Sequence, residues 1–193
     1  MRTPTRLLTI LALFCAGCVS TAELQEGARV QAPVPQDTQS VVIRPTVLSP
    51  DAIKNVEGLT DAPQLFARSL REALQKQRPT WESTLADGQS VVPERGIAIT
   101  TELVNIDGGS AALRFWIGLN TGAAESTVKV TVLDKMGAEL ATARISNRTI
   151  CPIGACAESN EATIRRNLEG LAEDTAAFIV DPAEYQKKKR SGQ

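Results

Sequence analysis

Thr127-Val128-Lys129-Val130-Thr131-Val132-Leu133, the turn Asp134-Lys135-Met136-Gly137 and the run from Glu139 to Ile145 decide the class of this fold. Val128, Val130 and Val132 recur every second residue, the period at which side chains line one face of a strand. Asp and Gly in the intervening turn supply the conformations a tight chain reversal needs, so the two runs are expected to pair as a hairpin. Working outward, Ile97, Ile99, Thr101 and Leu103 repeat the alternation, and so do Leu113, Phe115 and Ile117. The separators are Asp107-Gly108-Gly109-Ser110 and Leu119-Asn120-Thr121-Gly122. The stretch from Gly96 to Ile145 is therefore expected to be a β-meander.

Upstream, Gln39-Ser40-Val41-Val42-Ile43-Arg44 has the composition of a further strand, stopped by Pro45 or by Ser49-Pro50. A helix follows: Thr60 or Asp61 can cap it, and Pro63 suits its first turn. Phe66, Leu70, Ala73 and Leu74 share a face before Arg78-Pro79 ends the run. Strand, helix and the strand from Gly96 make a β-α-β unit, whose right-handed crossover places the first strand parallel to a neighbour. A last helix should begin near Ser159 and carry Ile164, Leu168, Leu171, Thr175 and Phe178 as its core stripe, with Arg165, Arg166, Glu169, Glu173 and Asp174 on a solvated side. The expectation is an α/β (α+β) domain over residues 38–180. Its mixed, mostly antiparallel sheet has about five strands in the order β-α-β-β-β-β-α and is covered by two helices.

The 193 residues, 42% of them apolar, are enough for one domain with a sizeable core. Removing Arg2 and Arg6 with a leader leaves 19 of the 21 basic residues against 22 acidic ones. This near-neutral balance, with aromatic residues at 4%, excludes a broad nucleic-acid-binding field. The chain has no histidine, so Ser-His-Asp, Cys-His and histidine-zinc chemistry are excluded outright. No motif for a metal, a cofactor or a catalytic group is present, and a non-enzyme is expected.

Met1 to Gly17 has the layout of an export signal: Arg2 and Arg6, then the apolar run Leu7 to Phe14, too short for a stable membrane span of about 20 residues. It ends in Cys15-Ala16-Gly17-Cys18, which resembles a bacterial lipobox with Cys15 where Leu is most usual. The resemblance implies lipidation of Cys18, and Val19 in place of an inner-membrane retention Asp implies an outer membrane facing the periplasm. Multiple acyl chains make such an anchor durable. Cleavage after Ser20-Thr21-Ala22, which would release the protein, is the competing reading.

Residues 18–37, rich in Gln, Glu and Pro, read as the lipidated Cys and a flexible tether. Cys151 and Cys156 are then the remaining pair. In an oxidising compartment they are expected to close a short disulfide loop worth about 2 kcal/mol. A redox-active or metal-binding pair is the alternative, disfavoured by the four-residue spacing and the lack of a second ligand pair. Trp81, in an irregular stretch from Thr80 to Glu94, is either packed on the core or the centre of a binding patch. Lys187-Lys188-Lys189-Arg190 lie in a basic C-terminal tail, 181–193, read as unstructured: either a solubilising end or a contact for anionic polymers.

The lipobox together with Leu113-Arg114-Phe115-Trp116-Ile117-Gly118-Leu119-Asn120-Thr121-Gly122, the strand Thr127 to Leu133, Asp134 and Gly137 resembles bacterial lipoproteins of domain of unknown function 4410. The resemblance covers about Gln39 to Val180. It implies an envelope compartment and an α/β fold, and no activity is established for the family. The layout also looks like that of periplasmic accessory lipoproteins in polymer secretion and curli assembly, which associate into rings, so a homo-oligomer is among the partners it implies.

The expected function is a non-catalytic binding or assembly accessory of the cell envelope. It is held to the membrane through Cys18, has an envelope protein or polymer as partner, and uses no metal, cofactor or nucleic acid. Arg114, Trp116, Gly118, Asn120 and Gly122 form the candidate partner-binding rim, because glycine-containing loops allow close backbone approach. The alternatives are a glycan hydrolase working through carboxylates such as Glu102 and Asp107, and a thiol-disulfide protein using Cys151 and Cys156.

Overall fold

The computed structural model describes residues 19–25, 27–54, 56, 59–87, 90–116, 122–150 and 159–191. Along the chain these form β1 (Val19–Leu24), β2 (Arg29–Val30), β3 (Ser40–Ile43), β4 (Val47–Leu48), β5 (Ile53–Lys54), α1 (Ala62–Gln77), β6 (Glu82–Leu85), β7 (Gly96–Asp107), α2 (Ala111–Trp116), β8 (Ala124–Leu133), β9 (Glu139–Ile150), α3 (Asn160–Val180) and α4 (Pro182–Ser191).

The β8–β9 hairpin forms where alternation places it. Val128 faces Ile145, Val130 faces Ala143 and Val132 faces Ala141. All six are buried on one face, while Lys129, Arg144 and Arg148 are exposed on the other. Asp134 shapes the turn, its Oδ1 accepting from the amides of Met136 and Ala138 at 2.8 Å each. Gly137 takes φ +84°, which a side chain would oppose. β7 pairs antiparallel with β8 and parallel with β3, so the β-α-β unit is present as expected.

The main path of the sheet is β1-β9-β8-β7-β3-β6, with β2 beside β9 and β4 and β5 beside β7. The class is the expected mixed, mostly antiparallel α+β, but the described strands number nine rather than about five. The additional strands are short or lie at edges, and periodicity over two to four residues carries no signal.

Helices α1 and α3 cover one sheet face and pack on each other. Phe66, Leu70 and Leu74 of α1 meet Ile164, Leu168, Leu171 and Phe178 of α3 in one core with Ile97, Ile99 and Val130. The expected stripe of α3 is buried throughout, including Thr175, whose Oγ1 donates to the Leu171 carbonyl at 2.7 Å. Ser159 caps α3, accepting from the Ala162 amide at 3.2 Å. Asp61 occupies the N-cap of α1, but its carboxylate does not cap. It takes both terminal nitrogens of Arg165 at 3.0 Å instead, tying α1 to α3. Arg165, expected on a solvated side, is thus a strut between the helices, which also reaches Glu161 at 3.0 Å.

Four local expectations are corrected. Leu113, Arg114 and Phe115, expected in a strand, belong to α2. Ser110 Oγ accepts from the Leu113 amide at 3.3 Å, and Ala111-Ala112-Leu113 favours helix once a cap is in place. Residues 19–24 and 29–30, expected in a tether, pair antiparallel with β9. Thr80 to Glu94, expected irregular, contributes β6, parallel to β3. The basic tail is helix α4, with Pro182 at its first position and Tyr185 buried. Trp81 is 7% exposed and packs in the core, with the Arg78 guanidinium 5.9 Å from its ring centre.

Candidate functional site

β7 ends at Asp107 and β8 starts at Ala124, and the intervening chain is closed by two glycines. Asp107 Oδ1 accepts from the Gly109 amide at 2.8 Å, and the Ser110 amide donates to the Gly122 carbonyl at 3.1 Å. Gly109 has φ +61° and Gly122 φ +73°. A Cβ on Gly109 would stand 2.3 Å from the Gly122 oxygen, and one on Gly122 would stand 2.6 Å from the Ser110 oxygen, both backbone atoms. Neither position admits a side chain, for reasons of space as well as conformation.

Of the expected rim, Gly122 is this loop closure, and Arg114 and Trp116 fall on α2. Gly118 and Asn120 lie outside the described residues, as do the side chains of Arg114 and Trp116. Cys18, Cys151 and Cys156 also lie outside them. Their neighbours are placed, however. Val19 is opposite Ile150, and Ala124 is opposite Thr149. The start of β1, the end of β9 and the glycine-closed loop therefore share one end of the sheet.

Beneath that end lies a polar cluster that the sequence reading missed. Asn167 Nδ2 donates to the Asn147 carbonyl at 2.9 Å and to Thr149 Oγ1 at 3.0 Å, joining α3 to β9. Its Oδ1 and Ser126 Oγ are buried with no hydrogen-bond partner among the described residues. Such a group costs about 1–3 kcal/mol. The signal available was an Asn inside a helix, where its side chain competes with the backbone.

The two carboxylates named for glycan hydrolysis sit five positions apart on one strand, roughly 16 Å along it. Glu102 accepts from Ser49 Oγ at 2.6 Å, and Asp107 closes the loop start, so the two do not converge on a cleft. Among the described residues no group of three or more His, Cys, Asp or Glu is placed to hold a metal ion. No described helix is long and apolar enough to cross a membrane.

Two of the surface depressions lie at the sheet edges. One, of about 610 Å³, runs between β1 and α4. There the Lys189 ammonium donates to the Ala22 carbonyl at 2.8 Å, stands 3.4 Å from Asp174 Oδ1 and lies 5.4 Å from the Tyr185 ring centre. The Tyr185 hydroxyl donates to Asp174 Oδ1 at 3.2 Å, and its ring meets Phe178 edge-on. Burial, aided by the Asp174 charge and hydrogen bond, holds the Tyr185 phenol well above its ordinary range. A second depression, of about 560 Å³, opens beyond β6 between the β3–β4 junction and α1. Asp61 is held below the usual carboxylate range, chiefly by its hydrogen bonds from Arg165.

The model of the family described as Domain of unknown function (DUF4410) matches residues 21–151. No curated protein matches the chain. Among solved structures, a PelC dodecamer from Paraburkholderia phytofirmans is 10% identical, at a TM-score of 0.48 over 80% of this chain and 96% of that one. Protein XCC0632 from Xanthomonas campestris, of the family DUF330, is 12% identical, at a TM-score of 0.43 over 86% of this chain and 95% of that one.

Proposed function

The chain belongs to the family described as Domain of unknown function (DUF4410), and from that premise we propose a non-catalytic lipoprotein of the bacterial envelope, anchored at Cys18 and serving as a binding or assembly accessory. It faces the periplasm from the outer membrane and engages an envelope protein or polymer. The observation that carries this reading is β1. From Val19, the residue that follows Cys18 in sequence and the first one described, this strand pairs with β9 over six residues. Cleavage after Ala22 would remove four of those six residues and the carbonyl that Lys189 holds. Cleavage before Cys18 keeps the strand whole.

With β1 paired from its first residue, an acyl group on Cys18 attaches to the rim of the domain instead of to a long leash. The glycine-closed loop and the end of β9 then face the membrane surface, and the β6 edge of the sheet is turned to the periplasm. Multiple acyl chains suffice for this anchoring with no spanning helix.

Metabolic labelling with palmitate tests the proposal. Label is expected on the wild-type protein in the outer-membrane fraction and is expected to be absent from Cys18→Ala. An unlabelled wild-type protein, or label that persists in the variant, overturns the anchor.

A further inference from the structure

We propose that the β6 edge and the groove at its end receive an extended, carboxylate-bearing peptide segment of a partner protein, added to the sheet as a further strand. The Glu82 amide donates to the Gln39 carbonyl and the Ala86 amide to the Ile43 carbonyl, both toward β3. Alternate residues of a strand direct their backbone groups to opposite sides, so the amides and carbonyls of Ser83 and Leu85 point away from β3 into the open edge. This is the arrangement by which a sheet accepts a strand from another chain.

The groove beyond Leu85 supplies side-chain recognition. Ile43, Pro45, Pro63 and Ala67 give it apolar walls, and Leu85 at its mouth is 41% exposed. Val47 on β4, which lies beside β7 three positions beyond Ile43, is 58% exposed. Arg44 and Arg68 line the same groove, are exposed, and make no salt bridge among the described residues. Arg68 Nε donates to the Gln64 carbonyl at 3.4 Å, which leaves its terminal nitrogens and the Arg44 guanidinium without a described carboxylate in contact. Two such guanidinium groups beside apolar walls suit a segment that alternates apolar and acidic side chains, since Arg pairs carboxylates with a planar fork.

A second copy of this chain fits less well. Its β6 offers Leu85 as the sole large apolar side chain, and pairing two four-residue strands buries far less than the roughly 1,200 Å² of a stable interface. The opposite edge is closed to a partner strand by Lys189 on the Ala22 carbonyl.

This inference rests on reading the domain as a binding module and is independent of the anchor. The test uses the full-length protein purified in detergent, with a short fluorescein-labelled peptide alternating valine and aspartate as probe and fluorescence anisotropy as readout. Saturable binding is expected. It should fail for the same peptide with lysine in place of aspartate, and should weaken by at least about tenfold in the double variant Arg44→Glu, Arg68→Glu. Ser83→Pro should weaken it similarly while leaving the melting temperature near wild type. The Ser83 amide points off the sheet, and its buried Oγ has no hydrogen-bond partner among the described residues. Absence of binding, or binding indifferent to these substitutions, overturns the proposal. A self-association that excludes the peptide and disappears in Ser83→Pro assigns the edge to a second copy and also overturns it. Cys18→Ser should bind the peptide as wild type does, so failure of the anchor and failure of the docking edge are separately visible.

Discussion

At one edge of the sheet β1 is covered by α4, whose Lys189 takes an outward-pointing carbonyl of the strand; at the other, no described strand or helix lies beyond β6, which ends at a groove and an exposed leucine. An unpaired edge is a template for association, and proteins blunt it with charge or cover it with a helix. Here one edge has received the cover and a lysine together. The other is merely short, four residues, and keeps its outward donors and acceptors. The contrast sets the β1 edge in the structural frame and is the basis for proposing the β6 edge as the docking side.

Cutting into the covered edge should have the largest consequence. Tyr185 is 6% exposed and packs edge-on against Phe178, so Tyr185→Ala should destabilise by about 3 kcal/mol. Urea denaturation would read this as a fall in the midpoint at unchanged slope.

Alkali should act on the same side chain. Tyr185 is the chain's single tyrosine, so tyrosinate absorbance reports on it alone. Its phenol is raised in the folded state, and the neutral form therefore contributes stability that is fully present below about pH 10 and is lost as pH rises further. The absorbance is expected to stay silent through pH 10 and to appear together with loss of the folded circular-dichroism signal. An independent, earlier rise would show that α4 does not hold the ring against Phe178.

Lys189→Ala removes the donor to Ala22 and the ion pair with Asp174, side chains that are 25% and 27% exposed, and should cost about 1 kcal/mol. Faster hydrogen exchange should be confined to β1, because α4 stays docked through Tyr185.

The link between the two halves is smaller still. Asp61 on α1 and Arg165 on α3 join the helix over the open side to the helix over the closed side. Asp61 is lowered by its Arg165 hydrogen bonds, so the stability it contributes is present above its unfolded value near pH 4 and is lost as pH falls through the folded one. The melting temperature of Asp61→Asn should lie slightly below wild type at pH 7, and the gap should close in acid.

Leu85→Ser on the open edge should change stability by no more than about 1 kcal/mol, because the side chain is 41% exposed and lies outside the buried core. A larger loss would mean that the groove is a packed part of the fold and would dissolve the contrast between the edges.

Much of the central fold was legible in the residues. The β8–β9 hairpin, the parallel β3–β7 pair and the core faces of α1 and α3 each rest on signals that repeat within a few turns or steps of their own sequence. The candidate rim was less so. Leu113, Phe115 and Ile117 alternate like a strand, yet a capping serine and two alanines before them set residues 111–116 in a helix, an outcome that alternation over three apolar positions does not discriminate. Asn167 looked like one polar residue in a helix, and its role became visible only when Asn147 and Thr149 were brought beneath it.

By itself the sequence determined the hairpin at Asp134 to Gly137, the two core helices, the absence of histidine chemistry and the glycines that its sharpest turns require, because each is written in local period, capping or composition. Only the tertiary structure decided that residues 19–24 are a strand, that the basic end is a helix clasping it, and that β6 is the last described strand on its side of the sheet. The bonds that settle those elements join residues far apart along the chain, such as Lys189 to Ala22 and Val19 to Ile150. A segment with no periodicity of its own becomes ordered only when a distant partner satisfies its backbone, so its state is a property of the assembled sheet.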